Sequence, residues 1–378
     1  MKVVIFQPMM KLYRVPLFES LHSLLSEAGY ELRVVCGAPW KAELERNDNV
    51  ILDKDYCFFE KSYWFYYNKI HFLPGAFRHI LWADIVITEQ ANKHIHNYIL
   101  ILLHLFKLRA FAYWGHGQNR QGNPTSFREM IKRALICKTD WWFSYTSGVA
   151  DYLTAYGFPK ERITVLNNSI DTTAFRQQLL TIGDDEIADF NRRHKIPVDA
   201  RIGLFCGSIY AEKKLEFMLE SALLAHRHNP SFVLLIGGAG KELNIIKKYA
   251  EEHDFIIYLG GLRGKEKALA FKRAEVFICP GAIGLAILDA FSAGLPVFTT
   301  NNTKHGPEIE YLRNNYNGGI CDAEINLYTD MVVSTLASFE INNQLSKNAV
   351  ATALEFSIEN MAHNFSVGIQ SFGSQLNR

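Results

Sequence analysis

The same order of patterns opens both halves of the chain, and it leaves few folds open. Val3 to Phe6 is a short apolar run, Gln7-Pro8 a turn, and Val15 to Ala28 a helical pattern closed by Gly29. A second apolar run follows at Leu32 to Cys36. Much later, Ile202 to Cys206 leads through Gly207-Ser208 into a helical pattern from Leu215 to His226 and a run at Phe232 to Ile236. Apolar runs that alternate with amphipathic helices predict parallel strands joined by crossover helices. Ile85 to Thr88, Ala110 to Trp114, Trp142 to Tyr145 and Ile163 to Leu166 extend the first set of strands. Ile256 to Leu259, Val276 to Cys279 and Val297 to Thr300 extend the second. The expected class is α/β, with two Rossmann-like parallel-sheet domains.

A chain of 378 residues suits two such domains, each with its own core. Between the halves, IGDDEIADFNRRHK is polar and ends at Pro197, which reads as a helix and linker over residues 181–200, with the domain boundary near there. That makes 1–180 the first domain and 201–355 the second, with 356–378 left as a closing segment. A net charge of +1 gives no global field toward nucleic acid or a membrane. The six cysteines are scattered without a Cys-x-x-Cys pair, as buried reduced thiols are, which predicts a cytoplasmic chain. Met1 to Pro8 reads as a strand rather than a signal peptide. Tyr98 to Leu108 is about half the ~20 residues of a membrane span, so it reads as a buried helix.

Chemistry-bearing segments cluster at strand ends. QPMMKLYRVPLF after the first strand lacks the G-x-G-x-x-G of a dinucleotide site, and GGAG (Gly237 to Gly240) lacks both a third glycine and a P-loop Ser/Thr. In CGSIYAEKKLEF, Gly207 lets the backbone turn and Lys213 and Lys214 arrive at a helix start. Backbone N–H groups beside a cation suit a diphosphate, although a solvated lysine pair has the same spelling. In CPGAIGLAILDAFSAGLPVFTT, Gly281 and Gly284 permit close approach of a ligand, and a helix begins near Leu285. Asp289 lies about one turn into that helix, where a carboxylate can accept from two ribose hydroxyls. A solvent-facing helix carboxylate is the plainer alternative. His116, in AYWGHGQNR, follows a strand and lies between glycines, where α/β crevices bind ligands.

Taken in order, these segments resemble the retaining glycosyltransferases called family 4, of GT-B fold. Gly207 with Glu212-Lys213 is similar to the family's Gly-Arg turn with Glu-Lys-Gly, IGGAG to its glycine-rich strand end, and Asp289-Ala290 with Gly294, Pro296 and Val297 to its Glu-Ala-x-x-x-Gly-x-Pro-Val. LNNSID (Leu166 to Asp171) resembles the Asn-Gly-Val-Asp that closes the first domain, and the stretch from Phe356 the helix that crosses back to it. The resemblance implies two domains facing across a cleft, the acceptor on the first and the nucleotide-sugar donor on the second. It assigns donor binding to Gly207, Ser208, Lys213, Leu262, Arg263, Gly281, Gly284, Leu285 and Asp289. His116 and Lys213 become the catalytic pair, and Arg14, Asn119 and Arg120 the acceptor side.

Three positions depart from the pattern. Ser208 replaces the usual diphosphate-binding arginine, Gly281 replaces the first glutamate, and Asp289 the second. The compact PGAIGL loop resembles a P-G-x-x-G-L variant subgroup. With no arginine at 208, phosphate charge must fall on Lys213 and backbone amides, helped by Arg263. No metal is expected. Asp53-Lys54-Asp55 has the spelling of a metal motif but lies away from every donor segment. The expected reaction moves a sugar, with retention, from a UDP- or GDP-linked donor to a glycan or lipid-linked acceptor in cell-surface polysaccharide or lipopolysaccharide synthesis. Two alternatives stand: a nucleotide-sugar epimerase of similar fold, and a non-catalytic nucleotide-sugar-binding protein. The aromatic run from Cys57 to Phe77 leaves core packing, a hydrophobic acceptor face and shallow contact with the inner face of the membrane all open.

Overall fold

A computed structural model describes residues 1–40, 48–117, 127–301 and 304–376. The chain forms two compact units, Met1–Asp171 with Ile358–Arg378, and Thr172–Ser357.

The first unit holds strands β1 (Lys2–Gln7), β2 (Glu31–Gly37), β3 (Cys57–Glu60), β6 (Ile85–Glu89), β7 (Ala110–Gly115), β8 (Trp141–Ser144) and β9 (Ile163–Val165). They make one parallel sheet in the order β3-β2-β1-β6-β7-β8-β9. A separate antiparallel hairpin, β4 (Tyr63–Phe65) and β5 (Ile70–Phe72), precedes β6. Side chains alternate across a strand, and β1 shows the consequence. Val3 and Ile5 enter one core, while Val4 and Phe6 enter the other on the opposite face. The first core is closed by α1 (Val15–Glu27) and α14 (Ile358–Leu376), which supply Leu17, Phe18, Leu21, Met361, Phe365 and Ile369. The second lies under α2 (Ala76–Trp82), α3 (Ile95–Leu105) and α5 (Ser147–Ala155); α4 (Phe127–Leu135) follows β7.

The second unit holds β10 (Arg201–Cys206), β11 (Phe232–Gly237), β12 (Ile256–Tyr258), β13 (Val276–Ile278), β14 (Val297–Thr300) and β15 (Gly318–Cys321). Their parallel order is β12-β11-β10-β13-β14-β15. Helices α6 (Thr172–Leu180), α7 (Asp184–Arg193), α8 (Leu215–His228), α9 (Leu243–Glu252), α10 (Gly264–Arg273), α11 (Ala286–Ser292), α12 (Ile325–Ala337) and α13 (Phe339–Glu355) complete it.

The division falls between Asp171 and Thr172, not within 181–200. The segment is largely the expected helix, α7, whose Phe190 is fully buried, and α6 buries Phe175 against Phe271 of α10. A polar segment with one apolar stripe is a packed surface helix. The closing helix starts at Ile358 and completes the first unit's core. The aromatic run builds β3 and the hairpin, with Trp64 stacked on His71 at 4.1 Å between ring centroids. No helix among the described residues is long and apolar enough to cross a membrane.

Candidate functional site

In the second sheet β10 and β13 are neighbours, and their crossovers continue to β11 on one side and β14 on the other. Such a reversal of strand order opens a crevice at the C-terminal strand ends, where open α/β sheets bind ligands. Two loops meet there. After β10, residues 207–214 turn through a short 3-10 helix (Ala211–Lys213). After β13 comes PGAIGL, Pro280 to Leu285.

The two loops lock together around Gly281. A Cβ at 281 would lie 2.2 Å from the Lys213 carbonyl carbon and 2.4 Å from the Glu212 oxygen, so only glycine fits. The position from which the family's first glutamate would project is therefore filled by the Glu212-Lys213 backbone. The Ala282 amide donates to the Glu212 carbonyl at 2.8 Å. Lys213 is 7% exposed, and its ammonium donates to the Ala282 carbonyl. Lys214, in the left-handed region, donates through Nζ to Thr300 Oγ1 at 3.2 Å, and Thr300 Oγ1 donates to the Pro280 carbonyl at 2.8 Å. On the far side His305 Nδ1 accepts from the Ile283 amide at 3.2 Å, while its Nε2–H donates to the Thr300 carbonyl at 2.8 Å. The loop is thus held at both ends before any ligand arrives. It runs into α11, whose first bonds join the Ile287 and Leu288 amides to the carbonyls of Gly284 and Leu285. The preceding amides, of Gly284 to Ala286, stand ahead of the helical ladder, where an anion is favoured.

Asp289 lies in α11 and pairs with Lys267 of α10, Nζ to Oδ1 2.6 Å. Lys267 also lies over the Phe175 ring at 4.6 Å, which holds its stem on apolar surface. A carboxylate has about four acceptor positions, so the ion pair leaves capacity for ribose hydroxyls. Of the other donor candidates, Ser208 is exposed on the β10 turn, Gly207 donates its amide to the Gly237 carbonyl at 3.0 Å, and Leu262 packs over Gly237. Arg263 is exposed at the start of α10. All the donor candidates therefore lie on loops or helix starts following β10, β12 and β13.

The first unit has its own reversal, at β1 and β6, and β7 lies beside β6. Glu89 ends β6 opposite Trp114 of β7, and His116 follows β7, exposed, 4.5 Å from the Tyr145 ring between centroids. Behind Glu89 lie buried imidazoles. His94 Nε2 meets Glu89 Oε2 at 3.4 Å, and His94 Nδ1 meets His71 Nδ1 at 2.9 Å. If Nε2 of His94 carries its proton toward Glu89, His71 donates to Nδ1 of His94. Burial, reinforced by His94 and Lys93, pushes His71 down to about 3. His94 and His96 are likewise held below the ordinary histidine range, first by burial. Burial would raise the Glu89 carboxyl, but the His94 hydrogen bond and the Lys93 charge outweigh it and keep it well below the usual carboxylate range.

Arg14 takes an internal place. It is 4% exposed, donates to Asn168 Oδ1 at 2.7 Å and lies 5.1 Å from the Trp114 ring centroid. Asn119 and Arg120 fall outside the described residues. Among those residues no three His, Cys, Asp or Glu side chains gather as metal ligands would. Lys267, His305 and Glu89 escaped the sequence reading. His305 and Glu89 carried the signal that singled out His116, a polar residue at or just after a strand end; Lys267 carried none, being one lysine of a charged helix.

Two parallel α/β units, each with a strand-order reversal, are the architecture of the GT-B fold. The chain belongs to the GT-B glycosyltransferases: residues 186–352 match the family Glycosyl transferases group 1, and residues 18–174 match Glycosyltransferase Family 4. No curated protein matches it. Its fold is similar to that of a glycosyltransferase from Rickettsia africae, with a TM-score of 0.71 and 14% identity, covering 98% of each chain. Anabaena HepE in complex with UDP-glucose gives 0.65 and 14%, covering 100% of this chain and 99% of that one. The UDP-GlcNAc 2-epimerase of Neisseria meningitidis, bound to UDP-GlcNAc, gives 0.62 and 13%, covering 98% and 100%. At such identities the likeness is one of fold.

Proposed function

We propose that this chain transfers a hexose from a nucleotide-diphosphate sugar, UDP-linked before GDP-linked, to a hydroxyl of a glycan or lipid-linked acceptor in cell-surface polysaccharide or lipopolysaccharide synthesis. The observation that carries this reading is the locked pair of loops around Gly281, in which the Lys213 ammonium donates to the Ala282 carbonyl, two residues ahead of the Gly284-Leu285 helix start. Departure of a nucleoside diphosphate builds negative charge, and preorganised donors there lower the barrier most. In this reading Lys213 and the loop amides receive the leaving diphosphate, Asp289 holds the ribose, and Arg263 adds charge at the rim. His116 and Glu89 offer the first unit's hydroxyl-binding groups, with Asn119 and Arg120 following His116 in sequence. The preference for UDP rests on relatives whose complexes hold UDP-sugars. Retention and independence of metal rest on the resemblance to family 4.

An epimerase shares this fold, as the Neisseria relative illustrates. The transferase reading is preferred because both halves match glycosyltransferase families. Thermal shift against UDP, GDP, CDP and ADP without added metal tests the donor site, since a ligand of the folded state raises its melting point. UDP is expected to give the largest rise. Consumption of a UDP-sugar to a second UDP-sugar without acceptor would favour the epimerase, and no shift with any nucleotide would favour a lost site.

A further inference from the structure

Helix α3 is apolar on two sides. Its inner side buries Leu100 and Ile101 in the core. Its outer side carries Tyr98, Leu102 and Leu105, at i, i+4 and i+7, exposed to 45%, 54% and 59%. The turn after it adds Phe106 at 68% and Leu108 at 59%. Arg109 then donates through Nε and Nη2 to the carbonyls of Ile80 and Leu81, both at 3.2 Å, which brings the exposed Leu81 of α2 to the same place. A water-facing helix side is ordinarily polar, and a helix apolar all round is one covered all round. A contiguous exposed apolar patch marks an interaction surface.

Charge selects what covers it. Residues 61–138 contain eleven lysines and arginines against three acidic residues, in a chain whose net charge is only +1. Lys107, two residues past the end of α3, is exposed, as is Lys138, two residues before Asp140, whose Oδ2 meets His104 Nδ1 of α3 at 3.1 Å. A second copy of the chain docked symmetrically on this face would bring like charge against like. An anionic lipid surface meets both needs: apolar side chains enter the headgroup boundary while the basic rim meets phosphates.

We propose that the outer side of α3 and its following turn dock this protein on an anionic membrane surface. An 11-residue helix lies along such a surface rather than across it. The purpose of the docking rests on the lipid-linked acceptor proposed above; the surface itself does not.

The test is co-sedimentation of the full chain with phosphatidylcholine vesicles and with 3:1 phosphatidylcholine–phosphatidylglycerol vesicles. Binding to the anionic vesicles, weakening with salt, is expected. Leu102→Glu with Leu105→Glu and Phe106→Glu is expected to reduce it tenfold or more, and Lys107→Glu with Lys138→Glu to reduce it on anionic vesicles. Circular dichroism confirms the fold of each variant, and the nucleotide-induced melting shift is measured beside it, so loss of docking and loss of the donor site read out separately. The proposal is overturned if the wild type ignores anionic vesicles, or if the folded triple variant binds as the wild type does. It is equally overturned if the wild type is a dimer that the triple variant dissolves without any lipid binding.

Discussion

Lys267 Nζ and Asp289 Oδ1 meet at 2.6 Å close to Cys206, the last residue of β10. The pair fixes the carboxylate where the strand order reverses. Burial drives the Cys206 thiol up to about 12, so this sulfur is an inert wall of the crevice and no nucleophile.

Asp289→Ala is therefore expected to weaken nucleotide binding about tenfold or more, equivalent to ~1.4 kcal/mol, with little change in melting temperature. Lys267→Met should weaken it by a smaller factor, because the carboxylate remains but loses its positioning partner. Calorimetric titration with UDP decides. Tighter binding by Lys267→Met would mean that the lysine competes with the ribose.

Lys213→Ala removes a buried ammonium from the Ala282 carbonyl. A cost of about 1–3 kcal/mol in stability is expected for the orphaned acceptor. Turnover should fall by roughly 10²–10³, the range for a lost oxyanion donor. Denaturant unfolding and steady-state rates on the same preparation separate the two effects. A variant with near-normal turnover would remove Lys213 from the chemistry.

Gly281 was read from sequence as a glutamate gone missing, and its surroundings give a different account. Restoring the family residue by Gly281→Glu puts a Cβ 2.2 Å from the Lys213 carbonyl carbon. Even Gly281→Ala should destabilise by about 1–3 kcal/mol, as overpacking does. Either variant should also blunt the nucleotide-induced melting shift, since it parts the two loops.

Acid should loosen the first unit. His71, His94 and His96 are held neutral, chiefly by burial, whereas in the unfolded chain each takes up a proton as pH falls through ~6.5. The unfolded state then binds more protons than the folded one. Each histidine thus removes up to about 1.4 kcal/mol per pH unit below that point, continuing for His71 down to about 3. Melting temperature should fall between pH 7 and pH 4, and His71→Phe should flatten that slope. An unchanged slope would contradict the assignment.

The strands that build both sheet centres were legible because burial on both faces leaves an uninterrupted apolar run, as in Ile202 to Cys206 and Phe232 to Ile236. Two of the four edge strands, Cys57–Glu60 and Gly318–Cys321, were not, having neighbours on one side only and no such run; the other two, Ile163–Val165 and Ile256–Tyr258, kept short apolar runs and were. The loops proposed to carry the donor site stood out in the sequence by their glycines and the order of segments. What those glycines do was not legible, because Gly281 answers to the backbone of Lys213, far away in sequence. The setting of Arg14 was not legible either, because only the folded chain shows Asn168 and Trp114 beside it.

The return of α14 into the first core sets a timetable for synthesis. Domains ordinarily fold in the order in which they are made. Here the second unit, continuous from Thr172 to Ser357, has all its residues before Met361, Phe365 and Ile369 exist. Until those side chains arrive, Leu17, Phe18 and Leu21 have an unfinished partner surface. The nascent protein therefore passes through a stage with one finished half and one waiting half. In that interval a chaperone would find its binding face on α1.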